Sequence, residues 1–220
     1  MKRKIAICLA MLMLWMPYSA VKAMPEVSSH SACVIDIDTG RILAAKNENE
    51  KSEPASITKI MTALIALENA DIKKVVTIPS AAAGVEGSSI YIKAGEKYSL
   101  EDLLYGLMLR SGNDAATAIA IDVAGSVDAF VEKMNQRAAE LGMNDTHFAN
   151  CTGLTAEGHV TSAHDIALMS RELILHHPGI RQYTTIWMDS LRDGASSLVN
   201  TNRLIRFYQG ATGLKTGSTD

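Results

Sequence analysis

The pattern of apolar and polar residues predicts a β-hairpin near the start of the chain. Residues 32–37 and 41–45 are largely apolar, and Asp38, Thr39 and Gly40 between them favour a tight turn. Near the other end, residues 213–217 have the length and composition of a short strand. A hairpin first, helices in the middle and a strand last indicate an α+β fold, in which both ends of the chain contribute to one sheet.

Apolar residues that recur at spacings of three and four predict helices in the middle of the chain. In the first helix, residues 56–69, one face carries Ile60, Ala63, Leu64 and Leu67. A capping box is expected at Ser99 and Asp102, although Asp replaces the usual Glu or Gln. Residues 80–95 are rich in Ala, Gly and Ser and are expected to be irregular. The other predicted helices span residues 99–109, 114–123, 127–141 and 162–176.

The first 23 residues have the pattern of a secretory signal peptide. Lys2, Arg3 and Lys4 precede an apolar run at residues 5–15, and small residues stand at the last and third-last positions before a cut after Ala23. The run is shorter than the roughly 20 apolar residues that span a membrane. We therefore expect export across the cytoplasmic membrane and a mature chain of residues 24–220.

Composition narrows the classes of function. The chain has 220 residues, of which 47% are hydrophobic and 20% charged, a balance typical of a globular protein. Its formal charge of −3 becomes −7 without the first 23 residues, which hold four basic residues and no acidic one. An acidic body without a basic stripe argues against a nucleic-acid partner. Cys33 and Cys151 can form one disulfide outside the cytoplasm, but the preferred interpretation is that they are two small buried residues without a disulfide.

The segment Ser56-Ile57-Thr58-Lys59 carries the first candidate chemistry. On a helix, its hydroxyl and amine lie one turn apart on the same face. A serine hydroxyl is a poor nucleophile without a base beside it, and lysine is a base only when its amine is neutral. Burial and a second cation both disfavour the charged amine, and Lys215 can supply that cation.

Two further short motifs follow in the sequence. Ser111-Gly112-Asn113 lies between two predicted helices, and Lys215-Thr216-Gly217 lies in the predicted last strand. Taken alone, each is equally consistent with a polar surface turn, and Ser56 and Lys59 with a helix cap and a solvated lysine. The ordered set of three is far rarer than any one of its members.

The ordered motifs resemble those of the penicillin-binding proteins and serine β-lactamases. Within residues 102–116, the form Ser-Gly-Asn is similar to the low-molecular-mass D-alanyl-D-alanine carboxypeptidases, peptidase family S11. Further segments that match this family are residues 87–89, 93–95, 150–154 and 163–165. The resemblance implies a penicillin-binding-protein/β-lactamase-like fold, with an antiparallel sheet flanked by helices.

The resemblance also implies catalytic roles for three residues. Ser56 is the acylated nucleophile, Lys59 takes its proton, and Ser111 passes a proton to the leaving amine. The implied reaction is removal of the terminal D-alanine from peptidoglycan stem peptides through an acyl-enzyme. Because this substrate lies in the cell wall, the resemblance also implies that the protein acts outside the cytoplasmic membrane, near the cell wall.

The other implied residues bind the substrate. Asn113 orients Lys59 and the substrate amide, and Lys215 and Thr216 hold the carboxylate of the terminal D-alanine. Gly217 belongs to the same segment, and the backbone N–H groups of Ser56 and Ser218 form the oxyanion hole. The resemblance further implies covalent inhibition by β-lactams. No cofactor and no metal are expected, because the sequence lacks His-Glu-x-x-His and Cys-x-x-Cys patterns.

The chain departs from the family pattern at two places. It stops three residues after Gly217, so we expect residues 24–220 to be a catalytic domain that lacks its last strands, with an uncovered strand at Lys215. Membrane association would then require a C-terminal tail absent from this sequence. Thr152 stands where many members have histidine, and the helpers of deacylation are expected to differ accordingly.

Two alternative functions remain open on the sequence. A class A-type β-lactamase usually has Ser-Asp-Asn and a Glu-x-x-Leu-Asn run, neither of which occurs here. A non-catalytic penicillin-binding receptor would be acylated and remain so. Asp165 is interpreted as a helix-start acid. The histidines interpreted as surface or hydrogen-bonded structural residues are His147, His159, His164, His176 and His177.

Overall fold

The β-hairpin near the start of the chain is present in the computed structural model, which describes residues 26–219. Strands β1 (Ala32–Ile35) and β2 (Ile42–Lys46) pair antiparallel, with an irregularity after Val34. The turn forms as expected, because Thr39 N donates to Asp36 Oδ1 at 2.9 Å. The predicted signal peptide, residues 1–23, lies outside the described residues.

All five predicted helices are confirmed, with ends that differ by at most three residues. The first begins as a 3₁₀ turn, Ala55–Thr58, and continues as the α-helix α1, Lys59–Asn69. The other helices are α2 (Leu100–Arg110), α3 (Asn113–Ala124), α4 (Val127–Glu140), α5 (Ala163–His176), α6 (Arg181–Thr184) and α7 (Leu204–Phe207). Within the described part of the chain, every helix is too short or too polar to serve as a membrane span.

The capping box at the start of α2 is also confirmed. Ser99 Oγ accepts from Asp102 N at 3.0 Å, and Asp102 Oδ2 accepts from Ser99 N at 2.9 Å. The aspartate is shorter than the usual glutamate, yet it closes the reciprocal pair. A serine cap of this kind is worth about 1 kcal/mol. Ser126 and Ser162 also cap α4 and α5, and the hydroxyl of each accepts a hydrogen bond from the backbone N–H of the residue three positions later.

The remaining strands form two further small antiparallel pairs. Strand β3 (Val75–Thr77) pairs with β4 (Lys97–Ser99), and β5 (Met188–Leu191) pairs with β6 (Ser196–Val199). The segment between β3 and β4 is largely irregular, as predicted, apart from a 3₁₀ turn at Ser80–Ala82.

The prediction of a strand at residues 213–217 is wrong. Within residues 26–219 this segment joins no ladder, so the two ends of the chain do not meet in one sheet. A strand needs a neighbour along one edge, and among the strands of residues 26–219 β1 pairs with β2 alone. Side chains hold the start of this segment instead: Thr184 Oγ1 donates to Thr212 O at 2.8 Å, and Asn202 Nδ2 donates to Gly213 O at 3.2 Å.

The core surrounds α1, which packs against α2, α3, α4 and α5. Its buried side chains are apolar apart from Lys59 and Thr62, and Met61 and Leu64 are fully buried. Each such large apolar side chain contributes about 1.5–3 kcal/mol when removed from water. This packing fixes the N-terminal end of α1, where Lys59 lies, against the N-terminal end of α3.

Candidate functional site

Ser56 lies in the 3₁₀ turn before α1, on a backbone that is closely packed from behind. Ala55 has φ of 47°, a left-handed conformation that is rare for a residue with a side chain. Gly153 packs against this turn with φ of 86°, and a Cβ there would lie 1.9 Å from Ala55 O. Only glycine permits this approach, so the loop at residues 149–153 fixes the backbone that carries Ser56.

The amine of Lys59 lies at the centre of the site. Nζ is 3.1 Å from Ser56 Oγ and 2.7 Å from Asn113 Oδ1, and it also donates to the backbone carbonyl of Thr152. The residue is fully buried. The predicted pairing of Ser56 and Lys59 across one turn is therefore present, and Asn113 lies beside the amine as expected.

These neighbours determine how a neutral amine would be oriented. Asn113 Nδ2 donates to Glu86 O at 2.7 Å, so its Oδ1 faces Lys59. Asn113 Oδ1 and Thr152 O can only accept, and a neutral amine has two N–H groups and one lone pair. With both N–H groups directed to these two oxygens, the lone pair is left facing Ser56 Oγ. This is the orientation that a base needs.

Burial and charge favour the neutral form of that amine. Burial, and secondly the nearby Lys215 ammonium, lower the pKa of Lys59 to about 7. Burial also lowers the pKa of Lys215, to about 8. Near neutral pH, Lys215 therefore remains mostly charged while a large share of Lys59 is neutral. The second cation expected from the sequence is present.

Ser111 occupies the break between α2 and α3. It ends α2 in a left-handed conformation with φ of 60°, and its Oγ is buried without a hydrogen-bond partner among the described residues. The next turn is anchored by the buried Asp114, whose carboxylate accepts from Ser89 Oγ at 2.6 Å and from the backbone N–H groups of Ile90 and Ile92. This carboxylate fixes the loop that faces Ser111.

A cavity of about 250 Å³ opens in front of these residues. It is lined by Ser56, Ser88, Ser111, Thr201, Lys215, Thr216, Gly217 and Ser218. Six of the eight predicted site residues line it, and the other two, Lys59 and Asn113, lie behind Ser56. A larger cavity of about 630 Å³ adjoins Arg192 and Tyr98 and contains none of the predicted residues.

The segment that carries Lys215 forms one side of this cavity. Gly217 lies so close to the nucleophile's turn that a Cβ would be 3.1 Å from Ser56 N. Lys215 Nζ donates to Thr216 O at 2.8 Å, and Thr216 Oγ1 shares a hydrogen bond of 3.0 Å with Thr201 Oγ1. Glycine at position 217 thus lets the segment approach Ser56 without displacing its turn.

Several of the contacting groups were not among the residues predicted for the site. Thr152 contacts Lys59 through its carbonyl, while its hydroxyl donates to Asn150 Oδ1 at 3.0 Å. The carbonyl of Glu86 and the hydroxyl of Ser88 also belong to the site. Thr152 and Ser88 fall inside the segments 150–154 and 87–89 that match the family, which was the available signal. Thr201 had no such signal.

Other candidate residues have structural roles. Cys33 and Cys151 are free. Asp165 N donates to Ser162 Oγ at the start of α5, as expected, and the buried carboxylate of Asp165 also accepts from Asp145 N at 2.8 Å. Across residues 26–219, no cluster of three His, Cys, Asp or Glu side chains has the geometry to hold a metal ion.

Comparison with known proteins decides the family. The family model for D-alanyl-D-alanine carboxypeptidases, peptidase family S11, matches residues 19–220. The chain belongs to this family. The S11 carboxypeptidases it resembles include DacF of Bacillus subtilis, 46% identical over 197 residues that cover 86% of this chain and 50% of DacF. DacA of Escherichia coli K12 is 34% identical, over 91% of this chain and 52% of DacA. The chain thus spans about half the length of these relatives.

Solved structures confirm the α+β, penicillin-binding-protein/β-lactamase-like fold of the S11 family. A D-alanyl-D-alanine carboxypeptidase from Mycobacterium tuberculosis H37Rv matches with a TM-score of 0.83 and 34% identity, over 90% of this chain and 75% of that one. Penicillin-binding protein 6B from Escherichia coli also matches with a TM-score of 0.83 and 34% identity, over 92% of this chain and 66% of that one.

Proposed function

We propose that this chain carries the catalytic site of a serine D-alanyl-D-alanine carboxypeptidase, which removes the terminal D-alanine from peptidoglycan stem peptides. The observation that supports this most directly is the buried amine of Lys59, 3.1 Å from Ser56 Oγ, with acceptors for both N–H groups of its neutral form. Membership of the S11 family supports the reaction type and the substrate class.

In the acylation step, Ser56 Oγ forms a bond to the carbonyl carbon between the last two D-alanines, and its proton passes to Lys59 Nζ. The tetrahedral adduct then collapses, and the bond from this carbon to the nitrogen of the terminal D-alanine breaks. That nitrogen takes the proton from Lys59, relayed by the hydroxyl of Ser111, a residue that lines the cavity. Free D-alanine and an ester on Ser56 remain.

The substrate is held by the other side of the cavity. Charged Lys215 and the Thr216 hydroxyl bind the free carboxylate of the terminal D-alanine, since a charge-assisted hydrogen bond is the strongest contact available to it. Asn113 orients Lys59 and the substrate amide. The backbone N–H groups of Ser56 and Ser218 stabilise the oxyanion, which the close approach of Gly217 to Ser56 supports.

Deacylation uses the same base. Water adds to the ester carbon and gives its proton to Lys59 Nζ, the ester bond to Ser56 Oγ breaks, and Lys59 returns the proton to that oxygen. Nothing in this cycle calls on a cofactor. A β-lactam presents a similar carbonyl and carboxylate, so we propose that it acylates Ser56. The pattern of residues 1–23 supports a site of action outside the cytoplasmic membrane, where this substrate lies.

Mass spectrometry after exposure to a labelled penicillin tests the proposal. We expect one covalent adduct on Ser56, no adduct on Ser56→Ala, and release of D-alanine from a D-Ala-D-Ala peptide. Persistent labelling without D-alanine release would instead identify a penicillin-binding receptor. Rapid release of hydrolysed drug would identify a β-lactamase. Adduct formation on Ser56→Ala would contradict the assignment of the nucleophile.

A further inference from the structure

His159 lies outside the three motifs, yet its ring connects two segments of the site. Ala149 N donates to Nδ1 at 2.8 Å, and Nε2 is 2.8 Å from Thr58 Oγ1. The side chain is nearly inaccessible, with 1% of the residue exposed. Both ring nitrogens are therefore engaged in the interior, one on each segment.

The hydrogen bonds determine the tautomer of this ring. A backbone N–H can only donate, so Nδ1 of His159 must be the acceptor and carries no hydrogen. A neutral ring then bears its hydrogen on Nε2 and donates to Thr58 Oγ1. Protonation of Nδ1 would set two donors against each other at Ala149. This interaction therefore exists only while the ring is neutral.

Each connected segment holds part of the site. Thr58 lies in the 3₁₀ turn between Ser56 and Lys59. Ala149 precedes Asn150, whose Oδ1 accepts from the backbone N–H groups of Thr152 and Gly153 at 3.1 and 2.7 Å. Thr152 O in turn accepts from Lys59 Nζ.

We propose that His159 is a positioning residue, which fixes the 149–153 loop against the nucleophile's turn so that the Thr152 carbonyl stays on the Lys59 amine and water stays out. The kinetic readout of this inference rests on the proposed function. The ring itself does not touch the reacting atoms, so its effect is transmitted through Thr58 and Thr152.

The surroundings keep this ring neutral. Burial, and secondly the charge of His147, lower the pKa of His159 to about 4, and Glu53 opposes them weakly. The Phe148 ring lies beside it, with 5.9 Å between ring centroids. The connection is therefore intact at neutral pH, where Lys59 would act as a base.

Variants at both ends of the hydrogen bond test this role, with the rate of acylation by a labelled penicillin measured from pH 5.5 to 9. His159→Leu removes both bonds, and we expect at least a tenfold slower acylation. Because water then reaches Lys59, its pKa should rise and the acid limb of the profile should move to higher pH. His159→Gln keeps one acceptor and one donor and should stay within about threefold of the wild type, with the limb unchanged.

Thr58→Val removes the hydroxyl with little change of shape, so it tests the role even if the leucine variant does not fold. We expect a loss in the same direction as in His159→Leu, and the double variant should lose less than the sum of the two single losses. His176→Gln, an exposed histidine on α5, is the matched control and should match the wild type. A folded His159→Leu or Thr58→Val protein with the wild-type rate and limb would overturn the proposal, because a merely structural role lowers only thermal stability.

The tautomer can be read without any activity. Nitrogen-15 spectra of the full chain labelled at histidine should show His159 with hydrogen on Nε2 at pH 7, and protonated only below about pH 5. A hydrogen on Nδ1, or a protonated ring at pH 6, would overturn the inference. If penicillin fails to acylate the wild type at Ser56, the proposed function is wrong. The spectra would still show whether His159 bonds to Ala149 and Thr58 as a neutral ring.

Discussion

The two sides of the cavity are built differently. Ser56, Lys59, Ser111 and Asn113 lie at the ends of helices that pack into the core. Residues 213–218 on the other side form an extended segment without a strand neighbour among the described residues, in which Thr216 and Ser218 are exposed and Leu214 and Lys215 are partly buried. One side is fixed by packing, whereas the other is fixed by a few side-chain hydrogen bonds and the close approach of Gly217.

The difference teaches which part of the proposed chemistry depends on which kind of structure. We call Ser56, Lys59, Ser111 and Asn113 the helical side and residues 213–218 the extended side. The base must be neutral, which requires burial, and the helical side supplies that burial. The carboxylate site needs a charge that the substrate can reach, and Lys215 presents one because it is only partly buried and lines the cavity. Loss of the helical side should therefore abolish acylation, while damage to the extended side should weaken it.

Lys59→Met breaks the helical side at its centre and should have the largest effect. Without the base, acylation by a labelled penicillin should slow by at least 10³-fold, toward the upper range of general-base effects. The substitution also leaves Asn113 Oδ1 and Thr152 O without their donor, so circular dichroism must confirm folding. A folded variant that is acylated at the wild-type rate would remove Lys59 from the mechanism.

Gly153→Ala tests the helical side by displacing the backbone of the turn that carries Ser56. The new Cβ would lie 1.9 Å from Ala55 O, so the nucleophile's turn must shift. We expect a loss of about 2–4 kcal/mol in the free energy of unfolding and at least tenfold slower acylation. Gly125→Ala is the matched control, because Gly125 has a similar φ of 83° with nothing within 4 Å. It should cost only about 1–2 kcal/mol and leave acylation unchanged.

Lys215→Met tests the extended side. The loss of one charge-assisted hydrogen bond, worth about 1.5–3 kcal/mol, predicts roughly 10- to 100-fold lower kcat/KM for a D-Ala-D-Ala peptide. Because the Lys215 ammonium lowers the pKa of Lys59, its removal should also move the acid limb of the pH profile upward from about 7. Lys133→Met, at an exposed site on α4, should change neither quantity.

The smallest predicted effect concerns stability on the helical side. The folded-state pKa of His159, about 4, lies below its ordinary value of 6.5. The unfolded chain therefore binds more protons between these values, and stability falls as pH drops from 6.5 toward 4. Wild type should lose about 2 kcal/mol more than His159→Gln between pH 7 and pH 4.5 in urea unfolding. Equal losses would show that the ring does not resist protonation.

Much of the helical side could be predicted because its signals are local. The spacing of Ser56 and Lys59 places both groups on one turn, and the capping residue Ser99 and the periodic apolar residues fixed the helix positions within a few residues. Burial of Lys59 followed from the apolar face of its own helix. The motif Lys215-Thr216-Gly217 indicated that Lys215 supplies the second positive charge near Lys59.

The remainder depends on groups that the sequence does not distinguish. The carbonyls of Thr152 and Glu86 contact the site, and every residue has a carbonyl. Thr201 reaches the cavity only because its loop folds back beside Thr216. The strand predicted at residues 213–217 failed for a related reason: pairing is a property of two segments, and composition describes only one.

The three acceptors around Lys59 have a consequence for the speed of proton transfer. When the amine takes a proton from Ser56, the resulting ammonium finds oxygen atoms of Ser56, Asn113 and Thr152 already at hydrogen-bond distance. No dipole has to turn to solvate the new charge, so the reorganisation energy of the step is small. In water that solvation shell would have to assemble during the reaction.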